Sequence, residues 1–259
     1  MENCLWTKEE IEGKIEYSHN VENFVKNNTW HKLFSSTKWI LSNPAEEIYD
    51  FYKEYMANPS KQIANRATTS IKKIHDLGCG GGRHTYFFSE LGYDVTGSDL
   101  STNAIEYTEK ELERRNLKAK LVKCPMTELP FADGEFDVTI SRAVINHSTL
   151  QDMKRVIYEV ARTTKKNGLF MVTVSSDRAS DFRRGTEVVK DLSYIPASGP
   201  EEGLIHTFFT GANAAALLEP FFIIDKVFLA EHPSLITAEG CTDPDEYFGS
   251  EYVIIGIRR

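Results

Sequence analysis

The segment from Ile74 to Asp99 constrains this chain more than any other part of it. Ile74-His75-Asp76-Leu77 reads as an apolar strand that runs directly into Gly78-Cys79-Gly80-Gly81-Gly82. A helix-type segment follows from Thr85 to Leu91, and then a second strand ends in Gly97-Ser98-Asp99. Glycines at 78, 80 and 82 let the backbone turn sharply and let a ligand come close, because no Cβ intervenes. Four glycines in five residues between a strand and a helix cost chain entropy, which argues for a bound group rather than an ordinary connection. The acid just inside the turn, Asp76, and the acid at the tip of the next strand, Asp99, are placed to hold the polar parts of a nucleoside.

Beyond Ile71 the chain alternates strand and helix. Strands are predicted at 71–76, 93–98, 118–123, 135–141, 168–175, 221–229 and 251–258, and helices near 83–91, 101–115, 150–165 and 211–218. This pattern implies an α/β fold: a mostly parallel sheet with helices on both faces, and ligands at the carboxyl ends of its strands. The last two strands are joined by a loop, 231–248, rich in Pro and acids, so the seventh strand could insert antiparallel. Residues 1–67 carry helical patterning and no glycine-rich turn, and read as an N-terminal helical cap ahead of a main domain at 68–259. Asn43-Pro44-Ala45-Glu46 reads as a helix start, with Asn43 as N-cap and Pro44 in the first turn. Ile48, Phe51, Tyr52 and Tyr55 follow at helical spacing, Asn58-Pro59 ends the helix, and Trp30, Phe34 and Trp39 add aromatic density before it. The stretch 176–209 breaks the rhythm after the fifth strand. Its aromatics and arginines suggest an ordered lid over substrate, since loops this long in compact domains are functional or disordered.

A net charge of −8 argues against nucleic acid as the main partner, because that affinity comes from clustered Lys and Arg. No apolar run approaches bilayer length, so no membrane partner is expected. The beginning, Met1-Glu2-Asn3-Cys4-Leu5-Trp6, lacks the basic and apolar regions of a signal peptide. Cysteines 4, 79, 124 and 241 are scattered without a CxxC pair, so neither a disulfide framework nor a metal site is signalled. A cytoplasmic protein with reduced thiols is the expectation.

Spacing then separates two cofactor classes. The dinucleotide fingerprint G-x-G-x-x-G fails here: counted from Gly78 its third glycine falls on Arg83, and from Gly80 on Thr85. What the chain does contain is Asp-x-Gly-x-Gly-x-Gly, from Asp76 to Gly82, with an acid at Asp99. This resembles motif I of the class I S-adenosylmethionine (SAM)-dependent methyltransferases, of the small-molecule, methyltransferase-11-like type. The resemblance implies a Rossmann-like seven-stranded, mostly parallel sheet whose last strand is antiparallel. It also implies SAM as cofactor and S-adenosylhomocysteine as product. Carried over by position, Asp76 lies near the cofactor's amino-acid end, Gly78, Cys79 and Gly80 form the turn beneath it, and Asp99 takes both ribose hydroxyls. Leu100 lies beside the adenine, and Met126 and Thr127 lie at its edge, ahead of Leu129-Pro130-Phe131. Ser141 and Arg142 fall where the fourth strand opens on the methyl group. The likeness spans roughly 71–170 and is weaker out to 222. One departure is Pro125, where many relatives carry an Asp that accepts from the adenine amino group. Proline offers neither a side-chain acceptor nor an N–H, which shifts adenine recognition onto the backbone near Met126 and apolar packing.

Methyl transfer from a sulfonium is an in-line displacement with a good leaving group, so the protein mainly aligns the reactants and excludes water. The candidate catalytic residues are His147, Arg142 and His206. His147 either serves as base or substrate orienter or caps the following helix. His206 either lines the same pocket or is a polar loop residue. Arg178, Arg183 and Arg184 either meet an anionic substrate or are solvated. Tyr17, Trp39 and Tyr52 either close the pocket from the cap or belong to the core. Base methylation is disfavoured: Ser141-Arg142-Ala143-Val144 stands where amino-group base methyltransferases carry Asp/Asn-Pro-Pro-Tyr, and Cys124-Pro125 reverses the Pro-Cys of the cytosine-ring enzymes. A small molecule is therefore the expected acceptor, with the chain acting as monomer or homodimer. The competing readings are other SAM chemistry on the same fold, a non-catalytic SAM-binding regulator, and an NAD-dependent dehydrogenase.

Overall fold

The structure, a computed structural model, describes residues 5–15, 41, 43–57, 71–197, 201–233 and 248–259. In chain order its elements are helix α1 (Lys8–Ile11), α2 (Glu46–Phe51) continuing into a π-helical turn (Tyr52–Met56), strand β1 (Lys73–Leu77), α3 (Arg83–Glu90), β2 (Asp94–Asp99), α4 (Thr102–Arg114), β3 (Lys120–Lys123) and β4 (Phe136–Ser141). Then come α5 (Leu150–Thr163), β5 (Thr164–Ser176), β6 (Thr186–Val189), β7 (Ser193–Ile195), β8 (His206–Phe209), α6 (Gly211–Leu218), β9 (Phe222–Pro233) and β10 (Phe248–Arg258). All seven predicted strands and all four predicted main-domain helices are present. Ten strands, rather than the expected seven, occur among the described residues.

The chain divides into two compact units. One comprises Trp30–Ser141, Glu159–Met171 and Ile257–Arg259. Its strands run in the order β3-β2-β1-β4-β5, with β1 parallel to both β2 and β4, and β2 parallel to β3. β4 is buried along its whole length and β1 at every position but the first, as parallel strands covered on both faces must be. Pairing of Leu77 with Ser98 brings the carboxyl ends of β1 and β2 level, so Asp99 emerges beside the glycine turn.

The other unit comprises Met1–Thr29, Arg142–Tyr158 and Val172–Gly256. β5 pairs with β10 and β10 with β9; separately, the last two residues of β5 pair in parallel with β8, which continues antiparallel into β7 and β6. The three extra strands all lie in 176–209. That stretch is therefore a β-meander instead of an irregular loop, and Ala179, Phe182, Tyr194 and Phe208 pack beneath it. Its strands are short and only β8 is fully buried, so no regular alternation marks them in the sequence.

One helix start differs from expectation. α2 begins at Glu46 after Ala45, which makes no side-chain cap, so Asn43 and Pro44 lie ahead of the helix. A capping box does occur at α1: Thr7 Oγ1 accepts from Glu10 N and Glu10 Oε2 accepts from Thr7 N, at 3.2 and 2.7 Å. Tyr52 is half-buried and packs edge-on against Phe87 and Phe88. Tyr17, Trp30, Phe34, Trp39, Asn58 and Pro59 lie outside the described residues.

Candidate functional site

The turn after β1 is built from backbone. Gly78, Gly80 and Gly82 have φ of 72°, 52° and 82°, the left-handed region that disfavours side chains. At Gly82 a Cβ would also lie 2.6 Å from the Tyr86 ring and from Thr108 Cγ2. Gly78 N and Cys79 N both donate to Ser98 O, at 2.8 and 2.9 Å, which ties the turn to the end of β2. Thr108 Oγ1 donates to Gly80 O (2.9 Å) and Tyr86 Oη to Gly81 O (2.7 Å), anchoring the turn from α4 and α3. Sequence reasoning missed Thr85, Tyr86 and Thr108; only their helical register relative to the glycines could have flagged them.

Asp99 closes this cradle. Its Oδ2 accepts from Gly80 N (2.9 Å) and its Oδ1 from Ser101 N (2.8 Å). Burial raises its pKa, and these N–H bonds partly oppose that shift. An ionised carboxylate has about four acceptor sites, so the two oxygens retain capacity for a vicinal diol. Asp76 is buried and accepts from Thr85 Oγ1 at 2.7 Å. Burial pushes its pKa up to about 6, with the Thr85 bond and the Arg83 charge acting the other way. A neighbouring cation would favour its charged form.

Cys124 N donates to Asp99 O (3.1 Å), so the turn bearing Met126 and Thr127 begins at the tip of β2. Arg162 holds the following run in place, donating to Leu129 O at 2.9 Å and Phe131 O at 2.7 Å, while Glu159 accepts from Leu129 N. Leu100 and Met126 are half-buried and Thr127 is buried. Ser141 Oγ donates to Leu77 O at 3.2 Å, pinning the end of β4 to the end of β1. Cys79 is buried, and its sulfur would lie 3.2 Å from a Cβ on Gly97, which explains a glycine within β2. Asp76, Gly78, Cys79, Gly80, Asp99, Leu100, Met126, Thr127 and Ser141 thus share one unit.

Arg142, His147 and His206 belong to the other unit. Arg142 is ion-paired with Glu251 (3.1 Å), and Thr173 Oγ1 donates to the same carboxylate at 3.3 Å. Ala143 follows with φ 54°, its N–H donating to Thr173 Oγ1. Left-handed alanine costs about 1–2 kcal/mol, so this bend is held by its surroundings. The start of α5 is capped by Thr149, whose Oγ1 accepts from Asp152 N (3.2 Å), rather than by His147. His147 and His206 stack edge-to-face with ring centroids 4.6 Å apart. Burial and the nearby His206 charge hold the pKa of His147 well below the usual histidine value. Burial also acts to lower the pKa of His206, but Asp181 and Glu201 outweigh it and raise the net value. Glu201 and Asp181 carried no sequence signal. Arg183 is exposed and paired with Asp191 (2.8 Å), the solvated alternative.

The strand order, the positive-φ glycine turn at a strand's carboxyl end and the acid one strand away define a doubly wound α/β fold with a nucleoside cradle. Residues 75–172 match the family model described as a methyltransferase domain. An uncharacterized methyltransferase of Synechocystis is 30% identical over 108 residues, which cover 42% of this chain and 49% of that protein. The malonyl-[acyl-carrier protein] O-methyltransferase of Legionella pneumophila is 33% identical over 132 residues, covering 46% and 44%. A solved SAM-dependent methyltransferase from Methanosarcina mazei superposes with a TM-score of 0.64 at 21% identity, covering 83% of this chain and 98% of that one, a likeness of fold. The chain spans about half the length of the curated relatives it matches. It carries a domain of the class I SAM-dependent methyltransferase family, and that domain implies SAM as its cofactor.

Proposed function

We propose that this chain is a methyltransferase that moves the SAM methyl group onto an oxygen, nitrogen, sulfur or other soft atom of a small molecule. The observation that carries the reading is the bond from Gly80 N to Asp99 Oδ2, which joins the glycine turn to the acid that would take the ribose hydroxyls. SAM supplies an activated methyl on a sulfonium, so the chain's own residues have mainly to bind, orient and exclude water. Asp76 would meet the positive amino-acid end, Gly78 to Gly80 would pass under the cofactor, and Leu100, Met126 and Thr127 would flank the adenine. Ser141 and Arg142, consecutive at the end of β4, would border the methyl group. With its charge compensated by Glu251, Arg142 serves to orient rather than to attract. His147 and His206 would stand together against the acceptor and orient it. Residues 176–209 would cover the acceptor, and 1–67 would form the cap.

No described helix is long and apolar enough to cross a membrane. The acidic surface favours a small molecule over nucleic acid, and we place the chain in the cytoplasm as a monomer or homodimer. The test is a metabolite-library screen for S-adenosylhomocysteine release. It should include a carrier-borne carboxylate arm, because the Legionella relative is named for one. Release with one acceptor class supports the reading. Binding of S-adenosylhomocysteine without release from any arm would favour a regulatory SAM-binding protein. Stabilisation by NADH but not by S-adenosylhomocysteine would overturn it.

A further inference from the structure

We propose that His147, Glu201 and His206 form a binding site for one first-row divalent cation of the zinc class, with Asp181 orienting His206. The three residues each offer a ligand atom, and all three atoms lie within 4.8 Å of one another. His147 Nε2 is 4.0 Å from Glu201 Oε1, and His206 Nε2 is 3.3 Å from Glu201 Oε2. Tetrahedral ligands about 2.1 Å from a zinc ion stand about 3.4 Å apart, so small side-chain adjustments bring all three onto one ion. Among the described residues, Nε2 of His206 has no hydrogen-bond partner although Glu201 lies so near, and the residue is 4% exposed. The nitrogen and the carboxylate are therefore not aligned on each other.

The support around His206 has the form that a metal-bound histidine requires. Asp181 Oδ2 lies 3.4 Å from His206 Nδ1, which fixes the ring and leaves Nε2 as the donor atom. The neighbour of His206 fastens the loop that bears His147: Thr207 N donates to Asn146 O (2.8 Å) and Thr207 Oγ1 to Ser148 O (2.7 Å). Thr207 Oγ1 also meets Ser193 Oγ at 2.9 Å, linking the pair to β7. Two imidazoles far apart in sequence are thus held by one β-strand residue. Two nitrogens and one carboxylate favour zinc or its neighbours over magnesium or calcium, which take oxygen ligands. Three protein ligands leave a position open. There the ion would take the acceptor's oxygen, nitrogen or sulfur and favour its deprotonated form. That role rests on the methyl-transfer reading; the ion site itself does not.

The full chain, stripped of metal by a chelator, is titrated with zinc chloride by calorimetry and with cobalt chloride by visible absorption. One zinc per chain is expected, with the intense absorption of low-coordinate cobalt. Affinity should fall about 100-fold or more in His206→Ala and Glu201→Gln and about 10-fold in Asp181→Asn. If His206→Ala fails to fold, Asp181→Asn, which keeps every ligand, carries the test. No saturable zinc uptake, uptake unchanged in Glu201→Gln, or a preference for magnesium would overturn the proposal. S-adenosylhomocysteine is titrated into the same samples. Zinc uptake without it would leave the ion site standing and remove the methyl-transfer role, and the reverse would remove the ion site alone.

Discussion

The glycine cradle and the His147–Glu201–His206 group solve the problem of gathering polar atoms in opposite ways. The cradle uses backbone, with Gly78, Cys79 and Gly80 giving their N–H groups to Ser98 and Asp99, and its ties run from the turn to α3, β2 and α4. Its two acids each already accept from N–H or hydroxyl donors, with acceptor sites to spare. The histidine group draws ionisable side chains from a loop, a turn, the segment before β8 and β8 itself, and sets them against one another under cover. Local backbone sites are shape-determined and tolerate little change at glycine. Assembled side-chain sites are charge-determined and tolerate little change at the titratable atom.

The sharpest way to break the first half of this contrast is Gly82→Ala. A left-handed φ and a Cβ 2.6 Å from Tyr86 together should cost roughly 3 kcal/mol of folding stability. Urea unfolding measures it, and a loss under about 1 kcal/mol would mean the turn relaxes easily. For the second half, His147→Ala should lower turnover by about 100-fold while S-adenosylhomocysteine affinity stays within about twofold. An equal loss in both would show that the histidine belongs to cofactor binding.

Asp76 sharpens the comparison through pH. Its folded pKa is raised from 3.8 to about 6, so the folded state holds its proton more tightly than the unfolded chain does. The stabilisation is full below pH 3.8 and is lost as pH rises through about 6. Relative to wild type, Asp76→Asn should therefore gain on the order of 2 kcal/mol between pH 4 and pH 7, read by urea unfolding at each pH. A flat difference would mean that Asp76 is not held in a dry site. The smallest effect is expected at Arg183→Ala. This exposed pair with Asp191 should contribute no more than about 0.5 kcal/mol, and a large loss of turnover would restore it as a substrate contact.

The contrast also explains which parts were legible in the sequence. Strand–turn–helix patterns and glycine spacing are local, so β1 through β4, the cradle and Asp99 could be read within a residue or two of their true bounds. Met126 and Thr127 were assigned by the family resemblance alone, and the Arg162 fork that holds the neighbouring run needed the fold. The meander of 176–209 escaped because exposed residues dominate β6, which shows no alternation. Glu201 and Asp181 escaped because tertiary pairing alone gives them meaning: each is an ordinary surface-type acid until β8 brings His206 against it.

The central claim is that the Gly78–Asp99 cradle holds SAM. Its most direct test is calorimetric titration of S-adenosylhomocysteine into the wild-type chain and into Asp99→Ala. The account predicts saturable one-to-one binding to wild type and a loss of about 30-fold in the variant, the effect of losing hydrogen bonds to a charged acceptor. Equal affinity in the two proteins, or no binding to wild type, would contradict it.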